Sequence, residues 1–193
     1  MNYLDILKTI VIIHYIINMY TIDDINYWKN NRNHYTKKSC FVTCKKDFRM
    51  ICNILSDCDD IAYISIESTP ECAEYLKYSH DNKHWLNDKD NVLNIRFDDV
   101  DEDLIKDDKI IAKAITEKQA EDIVEFIEKN IGKHFIIHCR AGQSRSQAVY
   151  SYIMQRYFHI YGKYPINKIN PCNTPNMRVL AMLKREWLKI YYS

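Results

Sequence analysis

The chain of 193 residues contains only three glycines and four prolines, and it has no internal repeat or low-complexity stretch. It also lacks an excess of either charge: 27 Lys and Arg residues nearly balance 26 Asp and Glu residues. The net charge of +1 gives no large basic face, so we expect no nucleic-acid partner. Scarce glycine beside abundant Ile, Asn, Lys and Tyr is the usage expected of AT-rich coding DNA, which fits a virus or a parasite.

The seven cysteines lack the pattern of a disulfide framework or of a zinc site. Their number is odd, and Cys40, Cys44 and the cysteines after them form no close Cys-x-x-Cys pairs, so buried apolar thiols are the better interpretation. His80 and His84 lie in a polar run without helical periodicity, which favours loop histidines. We therefore expect no metal, no other cofactor, and a reducing compartment such as the cytoplasm.

The N-terminal segment has an apolar core at residues 10–17 that is too short to span a bilayer. It also lacks a basic leader and a small-residue cleavage site, so we expect no signal peptide. We predict a helix over 4–20, within a helical extension (1–38) that precedes one domain (39–193). A helix that is apolar on all sides must be buried, first on its own domain, second in a homodimer and third on a membrane surface.

The remaining pattern predicts strands alternating with helices. Residues 21–38 read as a polar connector with one helical turn around 25–28. Predicted strands lie at 41–43, 61–66, 91–97 and 134–138, and predicted helices at 47–55, 70–78, 116–131, 147–154 and from 173–175 onward. Thr116 and Gln119 form a capping box at the start of the clearest helix. With 47% apolar residues, the chain is expected to form a single soluble α/β domain with a central mixed or parallel sheet flanked by helices.

Residues 138–146, His-Cys-Arg-Ala-Gly-Gln-Ser-Arg-Ser, carry the strongest functional signal. They join a buried strand to the first turn of a helix, where unpaired backbone N–H groups and the helix dipole favour an anion and lower the pKa of a thiol. Arg145 follows Cys139 after five residues, and its planar guanidinium matches two phosphate oxygens. The loop is therefore predicted to hold a phosphate over the Cys139 sulfur.

The other positions of this loop agree with the same interpretation. Gly142 allows the backbone to curl so that its amides converge. Ser146 can place a hydroxyl near the sulfur and stabilise it as a leaving thiolate. His138 can orient the cysteine from behind through hydrogen bonds.

This segment resembles the signature of the cysteine-dependent protein tyrosine phosphatases, and its Ala-Gly-x-Ser-Arg-Ser part is most similar to the dual-specificity branch. The resemblance is specific over these nine residues and looser over about 60–190. It implies Cys139 as nucleophile, Arg145 as phosphate clamp, Ser146 as the hydroxyl that assists hydrolysis, and a phosphorylated protein as substrate. It also implies that the phosphate binds to the loop residues Arg140, Ala141, Gly142, Gln143, Ser144 and Arg145. Gln143 departs from the usual apolar residue, which we expect to tune the pocket without changing the chemistry.

The mechanism also needs a carboxyl group that protonates the leaving oxygen and later activates water. The predicted strand 91–97 runs into seven acids between Asp98 and Asp108. In the dual-specificity branch the acid follows a strand of this kind, and Asp99 fits that place best. Asp98 and Asp101 remain alternatives.

Two further interpretations stay open at this point. A catalytically silent module would hold phosphate groups or phosphoproteins without cleaving them, and a rhodanese-like sulfur carrier or an arsenate reductase would also present a cysteine in an anion-binding loop. The sequence favours the phosphatase because it contains every residue type that the chemistry requires. It does not separate phosphotyrosine specificity from additional action on phosphoserine and phosphothreonine.

Overall fold

The computed structural model describes residues 22–31, 38–55, 57–77, 89–162, 166–168 and 174–192. The strands are β1 (Ser39–Cys44), β2 (Ile61–Glu67), β3 (Val92–Arg96), β4 (Leu104–Lys106), β5 (Lys109–Ala112), β6 (His134–Cys139) and β7 (Ile166–Lys168). The helices are α1 (Ile22–Asn31), α2 (Lys45–Leu55), α3 (Pro70–Tyr75), α4 (Glu117–Asn130), α5 (Arg145–Tyr161) and α6 (Met177–Tyr192).

Five strands form one sheet in the order β3-β2-β6-β1-β7, and every pairing within it is parallel. The predicted α/β domain with a central sheet and flanking helices is therefore confirmed. Strand β6 lies between β1 and β2, so its last residue, Cys139, pairs with Cys44 at the end of β1. Since the carboxyl ends of parallel strands meet at one edge, the segments that follow these strands converge there. Strands β4 and β5 form a separate antiparallel hairpin.

The apolar residues of the sheet alternate between two core clusters, as the period of two along a strand requires. On one face, Ile64 and Ile137 pack with helices α4, α5 and α6. On the other face, Tyr63 and Ile136 pack with α1 and α2. Every residue of β6, the middle strand that leads into the site, is buried, so this strand is covered on both faces.

Two helices on the first face match the sequence prediction closely. Thr116 caps α4 and forms the predicted capping box with Gln119. The buried residues of this helix include Ala120, Ile123, Val124 and Ile127, which lie on one apolar face. In α6 Val179, Leu180 and Leu183 are buried, and Trp187 is half-buried against the core.

Four parts of the fold differ from the prediction, and one of them is strand β7 (Ile166–Lys168), which was not predicted. The connector with one helical turn is a ten-residue helix, α1, because Ile25 is buried and Trp28 packs edge-on against Phe41. Helix α3 ends at Tyr75 and not at 78, since Lys77 adopts a left-handed conformation (φ 53°) that stops a helix. The β4–β5 hairpin was not predicted at all.

The predicted N-terminal helix (4–20) lies outside the described residues, as do His80 and His84. Among the helices of the described ranges, none has both the length and the apolar character needed to cross a membrane. The same ranges hold no group of three or more His, Cys, Asp or Glu side chains arranged for a metal ion.

Candidate active site

Cys139 ends the central strand, and its buried sulfur lies at the base of a pocket. The Ser146 Oγ atom is 3.1 Å from the Cys139 Sγ atom. Burial acts to raise the pKa of Cys139, but the Arg145 charge, the Ser146 hydroxyl and backbone N–H groups of Ser144 and Ser146 outweigh it and lower the pKa below its usual value. The site therefore favours a thiolate.

Arg145 is the first residue of α5 and is only 4% exposed, which is unusual for an arginine. Its Nη1 atom donates to the Phe97 carbonyl oxygen (2.6 Å) and lies 3.4 Å from the Ser68 hydroxyl. Its Nε atom is buried and has no hydrogen-bond partner among the described residues. A buried cation held from one side, with an unsatisfied donor on another, is suited to an anion.

The loop between Cys139 and Arg145 depends on Gly142. This glycine has a φ of 70°, and a Cβ atom there would lie 2.7 Å from backbone atoms of Thr43. The Gly142 carbonyl also accepts a hydrogen bond from the Gln147 side chain (3.0 Å), and the Arg140 carbonyl accepts one from the Lys45 amide (3.2 Å). The loop is thus pressed against the end of β1, which fixes its curl. The predicted phosphate-binding residues that line the pocket are Arg140, Ala141, Gln143, Ser144 and Arg145.

His138 is fully buried behind the cysteine. One ring nitrogen lies 2.8 Å from the Ser65 hydroxyl and the other lies 3.3 Å from the Cys139 carbonyl oxygen. Burial lowers the pKa of His138 to about 3, so the ring is neutral at physiological pH. His138 therefore contacts the cysteine backbone and braces the end of the strand, where it also stacks on Phe48 with ring centroids 4.0 Å apart.

Asp98, one of the three candidate acids, is fully engaged in holding the fold. It is 1% exposed, and its carboxylate accepts hydrogen bonds from the Thr69 amide (3.0 Å), the Thr69 hydroxyl (2.5 Å) and the Lys113 amide (2.9 Å). These bonds tie the end of β3 to the start of α3 and to the segment after β5. Both carboxylate oxygens are occupied, so Asp98 is poorly placed to exchange a proton with a substrate.

Asp99 is exposed and lines the pocket that contains Cys139. Its Oδ1 atom accepts hydrogen bonds from the Ser144 hydroxyl (2.8 Å) and from the Asn176 side-chain amide (2.9 Å). Within the described part of the chain, Oδ2 has no hydrogen bond. Two donors on Oδ1 leave Oδ2 as the oxygen that can carry and release a proton.

Asp101 is exposed but does not line this pocket. It lines a shallower neighbouring depression together with Glu102 and Met177. The geometry therefore brings Asp99 together with Cys139, Arg145 and Ser146, and it brings neither Asp98 nor Asp101 there as a free carboxyl group.

Three residues that position the site were not predicted from the sequence. They are Asn176, Gln147 and Ser68, which contact Asp99, the cysteine loop and Arg145 respectively. Asn176 caps α6 by accepting a hydrogen bond from the Val179 amide (3.0 Å) while it donates to Asp99. An Asn that follows Pro175 directly before an amphipathic run is a helix-capping signal, and it could have been found. Gln147 and Ser68 had no comparable signal, because Gln147 contacts the carbonyl of a glycine whose curl is not readable from a pattern, and Ser68 contacts Arg145 across 77 residues.

A scan against protein-family models and a search of curated proteins both find no match for this chain.

Proposed function

We propose that this protein is a cysteine-dependent phosphatase, similar to the dual-specificity branch, that hydrolyses phosphotyrosine in proteins through a phosphocysteine intermediate; additional action on phosphoserine and phosphothreonine is the open alternative. The observation that carries this proposal is that Cys139, Arg145 and Asp99 line one pocket, where the Arg145 charge lowers the pKa of Cys139 and the buried Arg145 Nε atom has no hydrogen-bond partner among the described residues. The fold supports it, because the cysteine leaves the central strand of a parallel sheet and the arginine begins the next helix.

In the first step the loop amides and Arg145 bind the phosphate dianion and place phosphorus over the sulfur. The Cys139 thiolate attacks, so an S–P bond forms and the ester P–O bond breaks. The leaving oxygen takes its proton from the Asp99 carboxyl group, which becomes a carboxylate. Arg145 and the amides stabilise the charge on the phosphoryl oxygens, and this chemistry requires no metal ion.

In the second step the Asp99 carboxylate accepts a proton from water as the water oxygen attacks phosphorus. The new O–P bond forms while the S–P bond breaks, and inorganic phosphate leaves. Ser146, 3.1 Å from the sulfur, stabilises the departing thiolate by donating a hydrogen bond. The thiolate and the protonated Asp99 are then restored for another turnover.

A reducing compartment such as the cytoplasm fits this chemistry, since only a reduced Cys139 can act as nucleophile. Among the described residues, Cys40, Cys44, Cys52, Cys72 and Cys139 form no disulfide bond, which agrees with such a compartment. The proposed partner is a phosphorylated protein.

The test is hydrolysis of an aryl phosphate in the presence of excess chelator. We expect turnover by the wild type, none by Cys139→Ser and a large fall in Asp99→Ala. A wild type that binds vanadate or a phosphotyrosine peptide but never turns over would replace the phosphatase with the silent binding module. Turnover of thiosulfate or arsenate without phosphatase activity would favour a sulfur carrier or an arsenate reductase.

A further inference from the structure

The pocket above Cys139, with a volume of about 560 Å³, has an apolar wall. The wall consists of Tyr75 and Leu76 at the end of α3, Val100 after the strand β3, and Leu104, Ile111 and Ala112 of the β4–β5 hairpin. Tyr75, Leu76 and Leu104 are each more than 40% exposed. Large apolar side chains that line a pocket and keep this much open surface can gain free energy from an apolar occupant.

A β-bulge builds one side of this wall. In the hairpin Leu104 pairs with Ala112 while Ile105 pairs with Ile110, so Ile111 is an extra residue without a partner across the ladder. Strict alternation would turn Ile111 and Ala112 toward opposite faces of the hairpin. Both line the pocket, because the bulge redirects the chain at this point.

Polar contacts join the hairpin to α3, the opposite side of the wall. Lys113, just after β5, forms an ion pair with Glu71 (2.6 Å), and the Lys106 Nζ atom lies 5.2 Å from the centre of the Tyr75 ring. The ion pair is substantially exposed and contributes little stability by itself. It nevertheless shows that the hairpin and α3 contact each other beside the pocket.

From these contacts we propose that the pocket selects aryl phosphate esters over alkyl ones, with Leu104 and Ile111 as specificity-determining residues. This inference rests on the proposed function and narrows its substrate class to phosphotyrosine. A phosphate on the loop places the tyrosine ring between the apolar sides of the pocket. The short side chain of phosphoserine or phosphothreonine would instead draw the polar peptide backbone into apolar surroundings, where unpaired amides are costly.

The experiment compares kcat/KM for peptides that differ only in phosphotyrosine or phosphothreonine at one position. The wild type is expected to prefer phosphotyrosine by at least about tenfold. Leu104→Ala and Ile111→Ala are each expected to raise KM for the phosphotyrosine peptide by roughly five- to tenfold with kcat nearly unchanged, because the wall contributes binding and not transition-state chemistry. Hydrolysis of the phosphothreonine peptide should change less than about twofold.

Ile105→Ala is the matched control. Ile105 lies on the same hairpin and is 67% exposed, but it does not line the pocket. Its substitution should leave both peptides unaffected. Equal wild-type rates on the two peptides, an equal loss on both in Leu104→Ala, or the same loss in Ile105→Ala would overturn the inference while leaving the phosphatase intact.

Binding of both peptides to the Cys139→Ser variant, measured by fluorescence polarisation, gives a readout that does not need turnover. Tighter binding of the phosphotyrosine peptide, weakened by Leu104→Ala in the same background, supports the inference even if the wild type proves inactive. Equal binding of the two peptides counts against it. Absence of turnover in the wild type would contradict the proposed phosphatase function but not the inference about the selectivity of the pocket.

Discussion

The loop that carries Cys139 and the loop that carries Asp99 line the same pocket, but they differ in how their side chains acquire their roles. The first is one contiguous segment in which Cys139, Ser146 and Arg145 meet because a strand ends and a helix begins. The second holds two adjacent aspartates of which one is buried and triply hydrogen-bonded and the other is exposed to the pocket. The proposed nucleophile is thus placed by local chain geometry, whereas the proposed acid is distinguished from its neighbour by contacts with distant elements.

The largest expected effect is that of Cys139→Ser, which removes the thiolate from the first loop. We expect kcat to fall by about 10⁴-fold or more, because no other group replaces a missing nucleophile. Steady-state hydrolysis of an aryl phosphate measures it. Cys44→Ser, at the half-buried end of β1, is the control and should retain most of the activity; similar inactivation of both variants would argue against Cys139 as nucleophile.

Substitutions of the neighbouring residues Asp98 and Asp99 should have different effects, one on stability and the other on activity. Asp99→Asn is expected to lower kcat by about 10²–10³-fold and to change the free energy of unfolding by less than about 0.5 kcal/mol. Asp98→Asn replaces an acceptor of three hydrogen bonds with a group that also donates, so it should cost roughly 2–3 kcal/mol of stability. Urea titration beside kinetics gives both quantities, and the reverse pattern would make Asp98 the acid.

Gly142→Ala tests whether the curl of the cysteine loop is needed. A Cβ atom at Gly142 meets the Thr43 backbone at 2.7 Å in a left-handed conformation, so the loop must shift. We expect about a hundredfold loss of activity from the displaced amides and a loss of roughly 1–3 kcal/mol in stability. Gly132→Ala is the matched control, since nothing lies within 4 Å of its added Cβ atom. Full activity in Gly142→Ala would show that the loop tolerates displacement.

Asn176 links the second loop to helix α6, and two substitutions distinguish its contacts. Asn176→Ala removes both the cap and the donor to Asp99, whereas Asn176→Ser can keep the cap through its hydroxyl. Both variants should lower kcat by about tenfold, but only Asn176→Ala should lose about 1 kcal/mol of stability. Unchanged kcat in Asn176→Ser would mean that Ser144 alone is enough to hold Asp99.

The smallest predicted effect concerns the pKa of Cys139. The Ser146 hydroxyl stabilises the thiolate, so Ser146→Ala removes a contribution that lowers this pKa, and the pKa should rise. The pH at which iodoacetamide alkylates Cys139 at half its maximal rate should move upward accordingly. A downward movement, or none in the presence of intact folding, would contradict a hydrogen bond from Ser146 to the sulfur.

The sequence was sufficient for those parts of the fold and site that depend on contiguous residues. The central strand, the capped helix α4 and the cysteine loop follow from periodicity, caps and turn geometry, which act over a few positions. The choice among Asp98, Asp99 and Asp101 could not be predicted, because Thr69, Lys113 and Asn176 discriminate between them across long separations in the chain.

The full length of helix α1 and the β4–β5 hairpin were not predicted, for a similar reason. Helix α1 gains stability from packing Ile25 and Trp28 on the second core cluster, which outweighs its weak intrinsic pattern. The β4–β5 hairpin turns at Asp107 and Asp108, both with positive φ, inside a run of acids that resembles a solvated loop. Its bulge is visible only once the two strands are paired.

The position of β6 between β1 and β2 implies that Cys139 becomes reactive only as the chain folds. The two neighbouring strands, β1 and β2, both precede β6 in the chain, so the strand that bears the proposed nucleophile inserts between two strands that are synthesised earlier. Before that insertion the sulfur has neither the Arg145 charge nor the Ser146 hydroxyl beside it, and its acidity is that of an ordinary thiol. In an incompletely folded chain a smaller fraction of Cys139 is therefore thiolate at neutral pH, and the rate at which this fraction grows during refolding measures the assembly of the strand, the loop and the helix around the sulfur.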